Sequence, residues 1–141
     1  MDSPFSRSFT IQGKNFPDAG NVSTEIKTML KELGVDPAII RRVAIATYEA
    51  EMNVVMYADE AILIIEVTPH VITILIDDRG PGIPDVELAM QEGYSTATHE
   101  MREMGFGAGM GLANIKRNSD EFTIASTVGR GTTLKITITI N

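Results

Sequence analysis

Cysteine is absent from this sequence of 141 residues. The chain therefore has no disulfide bond, no thiolate metal site and no cysteine nucleophile. No apolar run is long enough to span a bilayer, and no N-terminal apolar segment follows a basic one. We expect a soluble, cytoplasmic protein with no membrane partner.

Basic residues are also scarce, because 12 lysines and arginines stand against 19 aspartates and glutamates, a formal net charge of −7. A nucleic-acid-binding protein needs a basic stripe to neutralise phosphates, so this composition argues against nucleic acid as a partner. The hydrophobic fraction of 43% and the charged fraction of 22% are ordinary globular values. No repeat, linker or low-complexity tract divides the chain, so residues 1–141 are predicted to form a single domain.

Apolar spacing predicts two helices in the first half of the chain. The first begins at Asn21 and ends before Gly34, a residue typical of a helix C-terminus. The second follows Asp36, which is a good N-cap, and has Pro37 at its first position. This second helix is expected to run to about Ala58.

Five segments are predicted to be strands: residues 6–12 at an edge, then 62–67, 71–76, 121–126 and 133–140. The last strand alternates strictly, with Leu134, Ile136, Ile138 and Ile140 on one face and Thr133, Lys135, Thr137 and Thr139 on the other. One buried and one wet face favour an antiparallel sheet with helices on a single side. The predicted class is α+β.

The region between these strands is less regular. Residues 86–90 predict a short helix and residues 110–119 a longer one. Residues 91–106 have little periodicity, which is typical of a long functional loop or lid.

Two glycine-rich turns, residues 77–84 and 105–112, flank that loop. Glycine lets the backbone bend sharply and approach a ligand closely, because no Cβ intervenes. The second turn leads directly into a predicted helix, and free N–H groups at a helix start suit an anion such as phosphate. These turns predict a nucleotide site.

Glu49 and Asn53 are four residues apart on the second helix and therefore share a face. A half-buried carboxylate and amide need polar partners. Taken alone, the pair could be a satisfied polar contact at the rim of a helix, but the neighbouring glycine turns favour a functional site. Glu51 lies about 200° around the helix from Glu49 and is predicted to be solvated.

Four motifs in order resemble those of the Bergerat-fold (GHKL) ATPases, the superfamily of DNA gyrase, heat-shock chaperones, histidine kinases and MutL. Residues 49–53 (EAEMN) resemble the N box E-x-x-x-N, and residues 78–82 (DRGPG) resemble the D-x-G-x-G box. Residues 107–111 (GAGMG) resemble the second glycine box, and residues 131–133 (GTT) resemble the final G-T motif.

Within this superfamily, the chain is most similar to the bacterial anti-sigma factor serine/threonine kinases, in particular the stressosome switch-kinase subgroup. The features that carry this similarity are the small size, the run at 119–126 and the closing GRGTT. The resemblance implies a two-layer α/β sandwich whose sheet is mixed but mostly antiparallel, with helices on one face. It also implies an ATP-dependent kinase that phosphorylates a small STAS-type antagonist protein in a partner-switching pathway. A sigma factor or other regulator is a further expected partner, and a homodimer is expected from the relatives.

On the adenine side, the resemblance implies that Asp78 hydrogen-bonds the adenine amino group and that Gly80 and Gly82 let the backbone pass under the base. Thr132 or Thr133 would support the adenine pocket, and the sequence leaves the choice between them open.

On the phosphate side, the resemblance implies that Asn53 holds Mg²⁺ and that Gly107, Gly109 and Gly111 wrap the phosphates. Glu49 would be the general base that takes a proton from a substrate hydroxyl or water. These roles suit phosphoryl transfer, which needs charge neutralisation and alignment more than covalent help.

A nucleotide-dependent binding module that sequesters a sigma factor or other regulator is the alternative function. A structural domain without nucleotide binding is disfavoured, because all four motifs are intact. A Walker P-loop and a Rossmann fingerprint are both excluded, because neither motif is completed. The phospho-accepting helix pair of a complete histidine kinase is not found in the sequence.

Overall fold

A computed structural model describes residues 4–91 and 111–141. The strands are β1 (Phe5–Gln12), β2 (Glu60–Val67), β3 (Val71–Arg79), β4 (Glu121–Thr127) and β5 (Gly131–Thr139). The helices are α1 (Asn21–Glu32), α2 (Pro37–Tyr57), α3 (Val86–Ala89) and α4 (Gly111–Arg117), with a short 3₁₀ turn at Phe16–Asp18. The predicted loop at 91–106 falls almost entirely outside the described ranges.

The five strands form one sheet in the order β1-β2-β3-β5-β4. Every pairing between them is antiparallel, so within the described ranges the sheet is not mixed. β1 lies at one edge, as its weak alternation predicts, and β4 lies at the other. The predicted α+β class is confirmed.

One face of the sheet is buried under the helices, and this follows from the alternation of the strand sequences. On β5, Leu134, Ile136 and Ile138 are buried as predicted, while Lys135 between them is exposed. β3 continues the same row inward with Ile72, Ile74 and Ile76. Asp78 is the next residue of that row, so it lies on the helix side at the end of β3.

The helix boundaries follow the local signals in the sequence. α1 ends just before Gly34, whose φ of 75° is the left-handed conformation that favours glycine. Asp36 Oδ1 accepts a hydrogen bond from the Ala38 N–H at 2.8 Å, and Pro37 occupies the first position of α2. α2 therefore begins where predicted and ends at Tyr57, one residue earlier than expected.

No helix among the described residues has both the length and the apolar character that crossing a bilayer requires. The cytoplasmic location and the single domain over residues 1–141 stay predictions.

Candidate active site

Glu49 and Asn53 lie one turn apart on α2, and both are half-buried. The start of α4 faces them. A Cβ added at residue 111 would lie 3.2 Å from Glu49 Oε2 and 3.5 Å from Asn53 Oδ1. Gly111 therefore allows α4 to begin directly beside the carboxylate and the amide, and the structure brings these three predicted site residues together.

Asn114, one turn further along α4, also contacts the predicted base. Its Nδ2 donates a hydrogen bond to Glu49 Oε1 at 3.5 Å. Its Oδ1 accepts an N–H from Arg117 at 3.4 Å. The amide of Asn114 is thus held from both sides, and it fixes one oxygen of the Glu49 carboxylate.

Burial raises the pKa of Glu49 above its ordinary value, and the hydrogen bond from Asn114 offsets part of this rise. Burial disfavours the charged form of a carboxylate, whereas a donor to the carboxylate favours it. A carboxylate with a raised pKa is a stronger proton acceptor, which is the property that a general base needs.

Asp78 forms the second part of the site, at the end of β3. Its Oδ1 accepts a hydrogen bond from the backbone N–H of Thr132 at 3.0 Å. Burial raises the pKa of Asp78, the Thr132 N–H lowers it, and the neighbouring charge of Asp77 raises it further. One oxygen of the carboxylate is therefore fixed by β5.

Glycine is required where β5 meets Asp78. Gly131 has a φ of 151°, and a Cβ added there would lie 2.1 Å from the Asp78 carbonyl oxygen. No side chain fits in that space, so the G-T motif brings the backbone of β5 against the predicted adenine-binding residue.

The first glycine turn packs against the hairpin between β4 and β5. Gly80 donates its N–H to the Arg130 carbonyl at 3.1 Å, and a Cβ there would lie 3.0 Å from Ala58 Cα. Gly82 has a φ of 76°, and its missing Cβ would lie 2.5 Å from the Thr127 carbonyl oxygen. The turn is therefore held on both sides and projects beside Asp78.

The two threonines of the G-T motif point in opposite directions. Thr132 is buried on the helix side, and its Oγ1 lies 2.9 Å from Ser126 Oγ. Ser126 Oγ also accepts the N–H of Ile83 at 2.7 Å, which connects the pair to the first glycine turn. Thr133 lies on the opposite face of the sheet, where its hydroxyl donates to Asp77 Oδ1 at 3.1 Å.

The prediction that Glu51 is solvated is wrong, because this residue is only 2% exposed. Its Oε2 accepts the backbone N–H groups of Gly20 and Val22, at 3.0 and 3.2 Å, and its Oε1 accepts that of Ser23 at 3.0 Å. Glu51 does point away from Glu49, as the helical spacing predicts. That side of α2, however, faces the start of α1 and not solvent.

Gly107 and Gly109 lie outside the described residues. Their expected positions stay predictions. Within the described ranges, no group of three histidine, aspartate or glutamate side chains could hold a metal ion.

Residues 18–138 match the family described as the histidine kinase-like ATPase domain. The chain belongs to this family. The match spans most of the chain and confirms the family predicted from the four motifs.

The names of two relatives agree with the predicted branch, the anti-sigma factor serine/threonine kinases. The chain is 33% identical over 113 residues to the serine/threonine-protein kinase RsbT of Bacillus subtilis (strain 168), covering 77% of this chain and 79% of the relative. It is 37% identical over 110 residues to an anti-sigma F factor of Caldanaerobacter subterraneus subsp. tengcongensis, covering 73% of each.

A solved structure supports the fold. The crystal structure of the RsbU and RsbW domains of Rv1364c from Mycobacterium tuberculosis matches with a TM-score of 0.62 at 17% identity. The match covers 96% of this chain but only 32% of that longer chain. This similarity concerns the fold alone.

Membership in an ATPase family implies ATP binding, and the described residues fit such a ligand. Because Gly111 has no side chain, the backbone at the start of α4 lies directly against Glu49 and Asn53. Among the described residues, only Oδ1 of Asp78 accepts a hydrogen bond. Its other carboxylate oxygen has no donor there and can accept one from a ligand. A free acceptor beside a glycine turn suits an exocyclic amine.

Motif reasoning missed two residues of the candidate site, Asn114 and Ser126, and it also missed the buried contacts of Glu51 with α1. Asn114 carried one available signal, since it lies three residues after Gly111 on a helix that starts at the site. The contacts of Ser126 and Glu51 join segments distant in sequence, so no local pattern indicates them.

Proposed function

We propose that this chain is an ATP-dependent serine/threonine protein kinase that phosphorylates a small antagonist protein in a partner-switching pathway. The observation that carries the proposal is the placement of Glu49 and Asn53, one helical turn apart, against Gly111 at the start of α4. The kinase relative at 33% identity supports it.

In this proposal Asp78 accepts a hydrogen bond from the adenine amino group. The fixed Oδ1 of Asp78 orients the carboxylate, and the backbone at Gly80 and Gly82 passes under the base. Thr132 supports the adenine pocket, because it lies on the same side of the sheet as Asp78, whereas Thr133 lies on the other.

Gly111 would hold the phosphates together with Gly107 and Gly109 of the same motif. Asn53 supplies an amide oxygen to Mg²⁺. Mg²⁺ held there would supply charge neutralisation for the phosphates. A single protein ligand can suffice for Mg²⁺, because phosphates and water complete its coordination.

Glu49 takes the proton from the serine or threonine hydroxyl of the antagonist protein. The hydroxyl oxygen then bonds to the γ-phosphorus, the bond from that phosphorus to the β–γ bridging oxygen breaks, and ADP leaves. Asn114 holds the Glu49 carboxylate in place during this step. General-base catalysis of this kind contributes roughly 10²–10⁴-fold to the rate.

A second candidate is a nucleotide-dependent module that sequesters a sigma factor or other regulator without obligatory phosphotransfer. The relative named anti-sigma F factor favours it. The two functions differ in their need for Glu49, because sequestration requires bound nucleotide but no base.

The test combines binding with transfer. Calorimetric titration with Mg²⁺ and ATP should show binding by the wild type and its loss in Asp78→Asn. Glu49→Gln should keep ATP binding but lower phosphate transfer from labelled ATP to purified STAS-type antagonist proteins by at least about 100-fold. Transfer by Glu49→Gln at the wild-type rate would refute the assigned base. Binding without transfer by the wild type would favour the sequestering module.

A homodimer is also part of the proposal. The open face of the sheet carries Ile62, Ile64 and Leu75, which are 53%, 39% and 37% exposed. They lie on two paired strands, with Ile64 opposite Leu75. Sedimentation equilibrium should show a dimer for the wild type and a monomer for Ile64→Lys, and an unchanged dimer would assign the contact elsewhere.

A further inference from the structure

A groove of about 600 Å³ lies between α1 and the first half of α2. Its floor is apolar and is formed by Val35, Ile40, Ala44 and Ile45. Ile40 is buried in the core, whereas the other three are half-buried and reach the groove surface. The exposed part of the floor is therefore an apolar patch between the two helices.

The rim of the groove is basic. Lys27 and Lys31 on α1 and Arg41 on α2 are exposed along it. None of the three forms an ion pair with a residue in the described ranges, whereas neighbouring Arg42 pairs with Asp120 at 3.2 Å. None of the lining residues is acidic. Three cations without an ion-pair partner among the described residues thus surround an apolar floor, in a chain whose net charge is −7.

The groove leads toward the candidate active site. Arg41, Ile45 and Glu49 follow one another at intervals of four residues, so they lie along one strip of α2. At 1.5 Å per residue, Ile45 lies about 6 Å and Arg41 about 12 Å before Glu49 along the helix axis. The near end of the groove, at Ile45, is therefore about one helical turn from the predicted base.

We propose that this groove is the docking surface for an amphipathic helix with acidic flanks on the protein substrate. The identity of the partner as a kinase substrate rests on the proposed function, whereas the chemistry of the groove does not. An apolar helix face fits a groove between two helices, and carboxylates on its flanks meet the basic rim. Such charge pairs steer association and fix orientation more than they add affinity.

The probe is a fluorescent synthetic peptide of about 18 residues, long enough to form a helix, with leucines at i, i+3, i+4 and i+7 and glutamates on the flanks. Fluorescence anisotropy should show binding to the wild-type protein. Lys31→Glu should weaken this binding at least about fivefold, since one rim attraction becomes a repulsion. Added salt should weaken it as well.

Lys116→Glu is the matched control. Lys116 and Lys31 are both exposed lysines in the last turn of a helix, so the two substitutions change the net charge and the helix-end electrostatics equally. Only Lys31 lies on the groove. Equal weakening by both variants would show that net charge governs binding, and it would overturn the proposal.

A charge exchange provides the decisive comparison. The triple variant Lys27→Glu, Lys31→Glu, Arg41→Glu should prefer the same peptide with lysines on its flanks. No binding of the glutamate peptide to the wild type, or no change of preference in the triple variant, overturns the proposal. Wild-type binding to phosphatidylserine vesicles or single-stranded DNA instead of the peptide also overturns it, because the occupant is then a lipid surface or a nucleic acid.

The assay requires neither nucleotide nor phosphate transfer, so its outcome is separate from that of the proposed function. If the peptide binds but Mg²⁺ and ATP do not, the docking surface stands and the kinase assignment fails. If ATP binds and the peptide does not, the kinase assignment stands and the docking surface fails.

Discussion

Glu51 on α2 caps α1, because its Oε1 accepts the backbone N–H of Ser23 at 3.0 Å across a separation of 28 residues. Its second oxygen accepts the N–H groups of Gly20 and Val22. The first N–H groups of a helix have no partner within the helix, and Gly20 has no side chain to supply one. A buried carboxylate from another helix satisfies them and joins α1 to the helix that carries Glu49 and Asn53.

We expect Glu51→Gln to lower the free energy of unfolding by about 2–4 kcal/mol. A glutamine has one acceptor oxygen where three N–H groups converge, and its NH₂ group would face a donor. The loss of buried, charge-assisted hydrogen bonds to a helix N-terminus lowers the free energy of unfolding. Urea denaturation followed by circular dichroism measures the change.

Glu49→Gln is the control for that experiment, two residues away on the same helix. Burial raises the pKa of Glu49, so folding favours its neutral form. The charged form therefore opposes folding above the folded-state pKa, and its removal should leave stability unchanged or slightly higher at neutral pH. A similar loss in both variants would mean that any neutral residue destabilises α2.

The helix ends were predictable from the sequence because their signals are local. Gly34 ends α1, and Asp36 with Pro37 begins α2, through contacts within a few residues. The role of Glu51 depends on where α1 starts in space, some 28 residues earlier in the chain. A helical wheel gives the direction of a side chain but not what occupies that direction.

Thr132→Val should lower the affinity for ATP about fivefold, whereas Thr133→Val should leave it unchanged. The Thr132 hydroxyl contacts Ser126, which also holds Ile83 of the first glycine turn. Its loss removes one buried hydrogen bond from the adenine side of the site, worth about 1 kcal/mol. Calorimetry on both variants tests this, and a larger loss from Thr133→Val would place the nucleotide contact on the other face.

The acidic limb of the kcat–pH profile should move to higher pH in Asn114→Leu. Burial raises the pKa of Glu49, and Asn114 opposes that rise by donating to the carboxylate. Without this donor the pKa rises further, so Glu49 becomes deprotonated, and active as a base, only at higher pH.

Asn114→Asp is a useful contrast to the leucine variant. It keeps the shape of the side chain but places a second carboxylate against Glu49, which also raises the pKa of Glu49. Both profiles should therefore shift in the same direction. An unshifted profile in both variants would show that a group other than Glu49 governs the acidic limb.

The motifs predicted Glu49, Asn53 and Gly111, which the structure brings together, because each motif is defined by contiguous residues. They could not choose between Thr132 and Thr133, since adjacent residues of a strand face opposite ways and the choice depends on which face carries the helices. They also did not indicate Asn114, whose contact with Glu49 depends on how α4 packs on α2.

Gly111→Ala should lower kcat for phosphate transfer about tenfold while the protein stays as stable as the wild type. The new Cβ would lie 3.2 Å from Glu49 Oε2, so the carboxylate or α4 must shift by a few tenths of an ångström. Small displacements of a catalytic group lower the rate of the reaction, whereas alanine itself favours a helix.

Gly34→Ala is the control for Gly111→Ala and should affect stability but not the rate. A Cβ at residue 34 would meet nothing within 4 Å, but the φ of this residue is 75°. That variant should lose about 1 kcal/mol of stability and keep the wild-type kcat. A normal kcat in Gly111→Ala would mean that the start of α4 moves away from Glu49 before transfer occurs.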